Sequence, residues 1–144
     1  TQGLAGEVTA MSVLRTYIVE DNPIILRNLS ETLEELTDVQ VVGSAADEGT
    51  AVDCMRNDTP GFDLMIIDMF LASGSGLAVL RSAQALNVQA RRIVLTSYAT
   101  PDIRRRCTAL GADRVFDKSS QIEDLLDYCI SISDGTAAGA VQLH

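Results

Sequence analysis

The chain has 144 residues, 47% of them apolar, which suits one domain with a full buried core and argues against a disordered chain. Its formal net charge of −9 argues against a protein that binds a nucleic-acid backbone. No apolar run approaches the ~20 residues of a membrane-spanning helix. A histidine-based triad or zinc site is excluded because the one histidine is the last residue, His144.

In chain order, apolar strands alternate with helical patterns. We predict an N-terminal leader over residues 1–11, with Met11 as a candidate start, one domain over 12–133 and a C-terminal tail over 134–144. The predicted strands cover residues 13–19, 39–42, 64–67, 93–95 and 115–116. The helices follow them from Pro23, over 47–58, over 76–86, from Pro101 and from Ile122.

Two of these helices have clear start signals in the sequence. Asn22-Pro23 and Thr100-Pro101 each give an N-cap side chain followed by a proline at the first helical position. The first helix shows its apolar period at Leu26, Leu29, Leu33 and Leu36. The last helix places one apolar face at Ile122, Leu125, Leu126, Cys129 and Ile130. All three cysteines, Cys54, Cys107 and Cys129, are expected to be reduced core thiols of a cytoplasmic protein.

Five strands alternating with five helices predict an α/β fold with a parallel sheet covered on both faces. Right-handed crossovers favour a doubly wound sheet, and the common order for five strands is 2-1-3-4-5, the flavodoxin-like arrangement. Ligands bind to such folds outside the carboxyl ends of the strands.

Polar residues stand at that end of most predicted strands. Glu20 and Asp21 follow the first strand, Asp68 the third and Thr96 the fourth, and Lys118, the one lysine of the chain, follows the fifth. Crowded carboxylates repel each other, and a hard divalent cation such as Mg²⁺ relieves that repulsion. A lysine and a hydroxyl beside them suit a phosphoryl group next to the metal. Each residue alone also has a plain structural explanation, as a helix-start acid, a turn residue or a surface lysine.

The motifs around these residues resemble the receiver domains of two-component response regulators, over roughly residues 13–133. They are "YIVEDNP", "MIIDMFLASGSGL", "IVLTSYA" and "GADRVFDKS". The resemblance implies that Asp68 is the phosphoacceptor, that Thr96 and Lys118 bind the phosphoryl group, and that Mg²⁺ is held by Glu20, Asp21, Asp68 and the backbone carbonyl of Phe70.

The same resemblance implies a stand-alone receiver that takes its phosphoryl group from a sensor histidine kinase or a histidine phosphotransfer protein. It is then a switch rather than an enzyme, catalysing only its own phosphorylation and dephosphorylation. With no output domain in the sequence, it signals through protein contacts. The expected contact face is the fourth helix, with Arg104, Arg105 and Arg106, and the acidic last helix, binding a downstream protein or a second copy in a homodimer. Ordinary solvated helix faces are the alternative.

Three positions depart from the family pattern. Ala72 and Ser119 stand where proline is frequent, so we expect a trans peptide before Ser119 and a differently shaped loop there. Val115 stands where many members carry a switching aromatic. Phe116, one residue later, should point to the other face of the strand.

Two other functions fit the same residues less well. A phosphatase of the haloacid-dehalogenase type also uses an aspartate nucleophile with Mg²⁺, but it needs a second acid two residues later, where this chain has Phe70. A scaffold that keeps the fold and is never phosphorylated has no need of the intact set Asp68, Thr96 and Lys118.

Overall fold

The computed structural model describes residues 13–57, 61–71 and 73–133. The predicted leader and tail lie outside the described residues. The five strands are β1 (Leu14–Val19), β2 (Val39–Ala45), β3 (Leu64–Asp68), β4 (Arg91–Thr96) and β5 (Arg114–Asp117). The five helices are α1 (Pro23–Leu36), α2 (Glu48–Asn57), α3 (Gly76–Ala85), α4 (Pro101–Ala109) and α5 (Ile122–Ser133).

The strands form one parallel sheet in the order β2-β1-β3-β4-β5, which confirms the predicted α/β topology. All five strands therefore begin at one end of the sheet, called here the amino end, and finish at the other, the carboxyl end. The register pairs Asp68 with Leu95, and Thr96 with Asp117. The last residues of β3, β4 and β5 thus lie side by side at the carboxyl end.

The sheet is buried on both faces because its residues alternate between two apolar layers. In β3, Met65 and Ile67 belong to the layer under α2, α3 and α4, whereas Leu64 and Ile66 belong to the layer under α1 and α5. All five residues of β3 are buried. A central strand of this kind leaves its backbone little freedom, so the residue at its carboxyl end is held in a fixed position.

Both helix starts read from the sequence are confirmed. The Asn22 side chain accepts hydrogen bonds from the backbone N–H groups of Ile24 and Ile25, and the Thr100 hydroxyl accepts one from Ile103 N. These bonds satisfy donors that the first helical turn leaves unpaired. They fix the starts of α1 and α4 at the carboxyl end of the sheet.

Gly76, the first residue of α3, closes the loop that follows β3. Its N–H donates to the carbonyl oxygen of Met69 at 2.9 Å. A Cβ at this position would lie 2.4 Å from the carbonyl oxygen of Asp68 and 2.8 Å from the Cα of Met69. Only glycine permits this approach, which packs the start of α3 directly against the end of β3.

On the outer strand β2, the backbone N–H of Val41 donates to the Glu34 carboxylate of α1 at 2.8 Å. β2 is also three residues longer than predicted, since it continues through the small and polar residues 43–45. Those residues lack the apolar character by which a strand is read from sequence.

Five side chains test the predicted apolar faces of the helices. Leu36 and Ile130 are 56% and 42% exposed, so their assignment to a buried face is wrong. Cys107 and Cys129 are buried as predicted, and burial raises the pKa of both thiols, that of Cys129 to about 12. Cys54 is only half-buried. Across the described residues, no helix is long and apolar enough to cross a membrane.

Candidate functional site at the carboxyl end of the sheet

Three acidic side chains meet at the carboxyl end of the sheet. Glu20 and Asp21 follow β1, and Asp68 is the last residue of β3. Each offers a carboxylate oxygen, and these oxygens all lie within 4.8 Å of one another. Glu20 and Asp68 are buried, at 4% and 7% exposure, and Asp21 is half-buried. The residues that the sequence placed at two separate strand ends are therefore in one cluster.

Lys118 supplies the positive charge of the cluster. Its Nζ lies 2.9 Å from Oε1 of Glu20 and 3.4 Å from Oδ2 of Asp68. Burial by itself would lower the pKa of Lys118, but the hydrogen bond to Glu20 and the charge of Asp68 outweigh it and raise that pKa. The lysine is therefore charged at neutral pH, and it links the ends of β1 and β3 to the segment after β5.

Asp68 is the least well compensated of the buried acids. Burial raises its pKa from 3.8 to about 6, and the charge of Glu20 adds to that rise. The charge of Lys118 and an N–H donated by Phe70 at 3.4 Å act in the opposite direction without cancelling it. A carboxylate held in this way gains free energy from any additional cation that reaches it.

The donor set fits Mg²⁺. Three carboxylates of hard oxygen atoms face a single ammonium group, so the cluster has an excess of negative charge when all of them are ionised. Mg²⁺ prefers oxygen ligands and is commonly held by only one or two protein carboxylates together with water. Glu20, Asp21 and Asp68 can supply that number in the space observed.

Thr96, buried at the end of β4, lies beside this cluster in the sheet. Its carbonyl accepts the backbone N–H of Lys118 at 2.8 Å, and its hydroxyl oxygen accepts the N–H of Tyr98 at 3.2 Å. The hydroxyl hydrogen remains available to an anion, because the bond with Tyr98 uses only the oxygen as acceptor.

Two exposed aromatic side chains stand next to one another on the loops that follow Asp68 and Thr96. The rings of Phe70 and Tyr98 meet edge to face, with centroids 6.0 Å apart and planes at 88°. They are 54% and 65% exposed, respectively. The assignment of the Phe70 carbonyl as a metal ligand stays a prediction.

The segment after β5 is held by Asp117. Its carboxylate accepts the N–H and the hydroxyl of Ser119 at 2.8 and 2.6 Å, and these two bonds lower the pKa of Asp117. Its own backbone N–H donates to Oε1 of Gln121 at 2.9 Å. Ser119, where a proline was expected by resemblance, thus takes part in a turn held by polar contacts. The trans peptide before Ser119 stays a prediction.

Val115 and Phe116 face opposite sides of β5, as predicted. Val115 lies in the apolar layer under α4, and Phe116 lies in the other layer, with its ring 6.0 Å from that of Tyr128. No aromatic side chain of β5 therefore faces α4.

The prediction of an outward-facing arginine triplet on α4 needs one correction. Arg105 and Arg106 are exposed and pair with Asp102 at 3.2 and 3.4 Å. Arg104 is half-buried, and its guanidinium donates inward to Ala99 and Val115 and to a side chain at the start of α5. This difference could not be predicted, because three consecutive arginines on a helix look equally solvated from sequence alone.

Comparison with known proteins gives a single family. The family model described as the response regulator receiver domain matches residues 16–129. An uncharacterized transcriptional regulatory protein, YvfU, of Bacillus subtilis (strain 168) is 29% identical over 115 residues, which are 80% of this chain and 56% of that protein. The chain spans between one third and two thirds of the length of the curated relatives it matches.

Solved structures agree on the fold. The isolated REC domain of RcsB from Salmonella enterica serovar Typhimurium, in the presence of phosphomimetic BeF3−, has a TM-score of 0.75 at 21% identity, covering 86% of this chain and 91% of that one. A Burkholderia pseudomallei response regulator with a phosphorylated aspartic acid, calcium ion and citrate has a TM-score of 0.68 at 22% identity, covering 91% and 75%. With the family model matched over most of its length, this chain belongs to the family of response regulator receiver domains.

Proposed function

We propose that the protein accepts a phosphoryl group on Asp68 and signals through contacts with other proteins. The observation that carries the proposal is the position of Asp68. It is a buried carboxylate at the end of the central strand, clustered with two other acids and within 3.4 Å of a lysine. A purely structural acid in such a place would be compensated, whereas Asp68 has a raised pKa.

The donor in this proposal is a phosphohistidine of a sensor histidine kinase or of a histidine phosphotransfer protein. An oxygen of the Asp68 carboxylate attacks the phosphorus atom, the phosphorus–nitrogen bond breaks, and the imidazole leaves and takes up a proton. The product is an aspartyl phosphate. The structure of the Burkholderia pseudomallei response regulator, which has a phosphorylated aspartic acid and a calcium ion, supports such a product beside a divalent cation.

Each neighbouring residue then has a role in the transfer. Glu20, Asp21 and Asp68 would hold Mg²⁺, which neutralises charge as the two anions approach. Lys118 lies close enough to exchange its contact with Asp68 for one with a phosphoryl oxygen. Thr96 has a hydroxyl hydrogen to donate from the adjacent strand.

Because Phe70 stands where a haloacid-dehalogenase phosphatase needs its second acid, the proposal is a switch without turnover of other substrates. The output runs through the α4 and α5 surface, where Arg105 and Arg106 lie on one helix and Glu123 and Asp124 on the other. A surface with both charges suits a complementary downstream protein or a second copy in a homodimer.

The test is incubation with Mg²⁺ and acetyl phosphate or phosphoramidate, followed by mass spectrometry of the intact protein. A mass gain of one phosphoryl group, sensitive to hydroxylamine as acyl phosphates are, supports the proposal. Continuous release of phosphate would favour the phosphatase, and the absence of any adduct would favour a scaffold that is never phosphorylated.

A further inference from the structure

The guanidinium of Arg104 joins three separate segments of the fold. Its Nε donates to the carbonyl of Ala99 at 3.1 Å, one terminal nitrogen donates to the carbonyl of Val115 at 2.8 Å, and the other donates to Oε1 of Gln121 at 2.7 Å. Ala99 lies in the loop before α4, Val115 in β5, and Gln121 immediately before α5. A planar guanidinium can satisfy three such acceptors at once, and an ammonium group cannot reproduce that geometry.

Two of these partners connect directly to the candidate site. Ala99 is three residues after Thr96, and the intervening loop is held by the bond from Tyr98 N to the Thr96 hydroxyl. Gln121 is three residues after Lys118, and its Oε1 also accepts the N–H of Asp117 at 2.9 Å. The loop that carries Thr96 and the loop that carries Lys118 are thus joined by a single side chain, outside the cluster itself.

The polar connection is continuous. From Thr96 it passes through the loop backbone to Arg104, then through Gln121 to Asp117, and the Lys118 N–H returns to the Thr96 carbonyl at 2.8 Å. Gln121 extends it outward as well, because its side-chain amide donates to Asp124 in the first turn of α5 at 3.2 Å. The neighbouring arginines of α4, Arg105 and Arg106, take no part in this polar connection, since they are exposed and pair with Asp102.

We infer that Arg104 is a positioning residue that transmits the state of Asp68 to the start of α5 by coupling the Thr96 loop to Gln121. The inference rests on the proposed function. When the Thr96 hydroxyl turns to a phosphoryl group, its bond with Tyr98 changes and the loop with the Ala99 carbonyl shifts. The guanidinium moves with the Ala99 carbonyl, and its hydrogen bond to Gln121 and the bond from Gln121 to Asp124 change as a result. Val115 stands where many family members carry a switching aromatic. In this chain the Thr96 loop is instead connected to the start of α5 through the Ala99 carbonyl and Arg104.

The experiment uses the complete chain labelled with ¹⁵N, Mg²⁺ and beryllium fluoride as the stand-in for the phosphoryl group. In the wild type we expect amide signals to shift both beside Asp68, at Met69 and Phe70, and at the start of α5, at Gln121 and Asp124. In Arg104→Lys the signals beside Asp68 should still shift, while the shifts at the start of α5 are lost. Thermal melting of each variant reports any loss of stability separately.

Matched variants separate coupling from a structural role. Gln121→Ala removes the link to α5 but leaves the Arg104 bonds to Ala99 and Val115, so it should also lose the α5 response. It carries the test if the Arg104 variant fails to fold. Gln121→Glu keeps an acceptor oxygen for Arg104 but loses the amide that donates to Asp124, so the response should persist at position 121 and be lost at Asp124. Arg81→Ala changes an exposed arginine of α3, away from the α4 and α5 surface, and should respond as the wild type does.

Two results would overturn the inference, and they are distinguishable. If the wild type shows no shift beside Asp68 with beryllium fluoride, the proposed function fails and this inference fails with it. If the wild type responds at both places and Gln121→Ala responds equally at the start of α5, the proposed function stands and the role of Arg104 is refuted.

Discussion

The two ends of the sheet use the same kinds of charged residue in opposite ways. At the amino end, Arg15 and Asp63 form a two-fold side-chain contact at 3.3 Å, with side chains 52% and 42% exposed. At the carboxyl end, the side chain of Lys118 is 17% exposed, and it faces the side chain of Glu20, which is 3% exposed, as well as Asp68. At the amino end, one acidic side chain pairs with one basic side chain in contact with water. At the carboxyl end, buried acidic side chains outnumber the single basic one. Exposure and imbalance of charge, rather than residue type, therefore distinguish the end that holds the candidate site from the other end.

The largest difference between the ends should appear in phosphorylation. Asp68→Asn should abolish labelling by acetyl phosphate, because an amide is a poor nucleophile and a weaker metal ligand. Asp63→Asn, the matched change at the amino end, should be labelled like the wild type. The measurement is the phosphoryl mass gain of the intact protein. Undiminished labelling of Asp68→Asn would remove Asp68 from its assigned role.

The lysine and the arginine should differ in their contribution to stability. Lys118→Ala leaves buried acids without their partner and should cost about 3 kcal/mol of unfolding free energy at neutral pH in chelator. Arg15→Ala breaks an exposed pair and should cost less than about 1 kcal/mol. Urea unfolding measures both, and equal losses would contradict the comparison.

Lys118→Ala should also fail as a switch while it remains folded. Mg²⁺ replaces part of the missing positive charge, so the variant should regain stability in its presence. Phosphorylated variant and phosphorylated wild type are then compared for recovery of partner proteins. Equal recovery would show that Lys118 does not connect phosphorylation to partner binding.

The imbalance of charge at the carboxyl end predicts a pH dependence of stability. Asp68 has a folded-state pKa of about 6 against 3.8 for an ordinary aspartate, so the folded protein binds its proton more tightly than the unfolded chain does. Unfolding free energy should therefore fall as pH rises from about 4 to about 6, by at most about 3 kcal/mol. In chelator, Asp68→Asn should lose this slope and Asp63→Asn should keep it. Identical slopes in all three proteins would contradict the assignment.

The exposed aromatic pair at the carboxyl end should protect an aspartyl phosphate. Phe70 and Tyr98 offer no carboxylate or amide to orient water and lie on the loops flanking the site. The double variant Phe70→Asn, Tyr98→Glu should therefore lose its phosphoryl group about tenfold faster, which is about 1.4 kcal/mol of barrier. Leu36→Asn, an equally exposed apolar residue at the amino end of the sheet, is the control. The measurement is decay in Mg²⁺ after donor removal, and unchanged decay of the double variant would show that these rings do not screen the site.

The smallest effect expected is that of Mg²⁺ on melting. At ten times its dissociation constant the ion should add about 1.4 kcal/mol of stability, roughly 3–6 °C for a domain of this size. Asp21→Ala should remove the response, and Asp63→Ala should leave it intact. A melting temperature indifferent to Mg²⁺ in the wild type would argue against the metal site.

Most of the fold could be predicted from the sequence because it depends on the spacing of apolar residues and on the residues that start and end each helix and strand. The alternation of strands and helices, the Asn22-Pro23 and Thr100-Pro101 starts and the opposite faces of Val115 and Phe116 are all local signals. Leu36 and Ile130 were misassigned because a period tells which side of a helix is apolar. It does not tell how wide the buried stripe is or how far along the helix it runs: Ile130 lies beside the stripe of Leu125, Cys129 and Ser133, and Leu36 is the last residue of α1.

The gathering of Glu20, Asp21, Asp68 and Lys118 was also predictable, because parallel strands deliver their carboxyl ends to one place. The roles of Arg104 and Gln121 were not. A polar side chain near a helix start carries no sequence mark that separates an inward hydrogen bond from a solvated one. Only the positions of the carbonyls of Ala99 and Val115 decide it, and those depend on how α4 sits on β5.

The bond between Glu34 and Val41 has a consequence for how copies of this protein meet. An outer strand with free N–H groups is a template on which another chain can extend the sheet. Here one of those donors is already occupied by a carboxylate of the preceding helix, at 2.8 Å. A second strand would have to displace that charge and bring its own carbonyl oxygens close to it. The bond thereby removes one of the donors along β2 that an added strand would need.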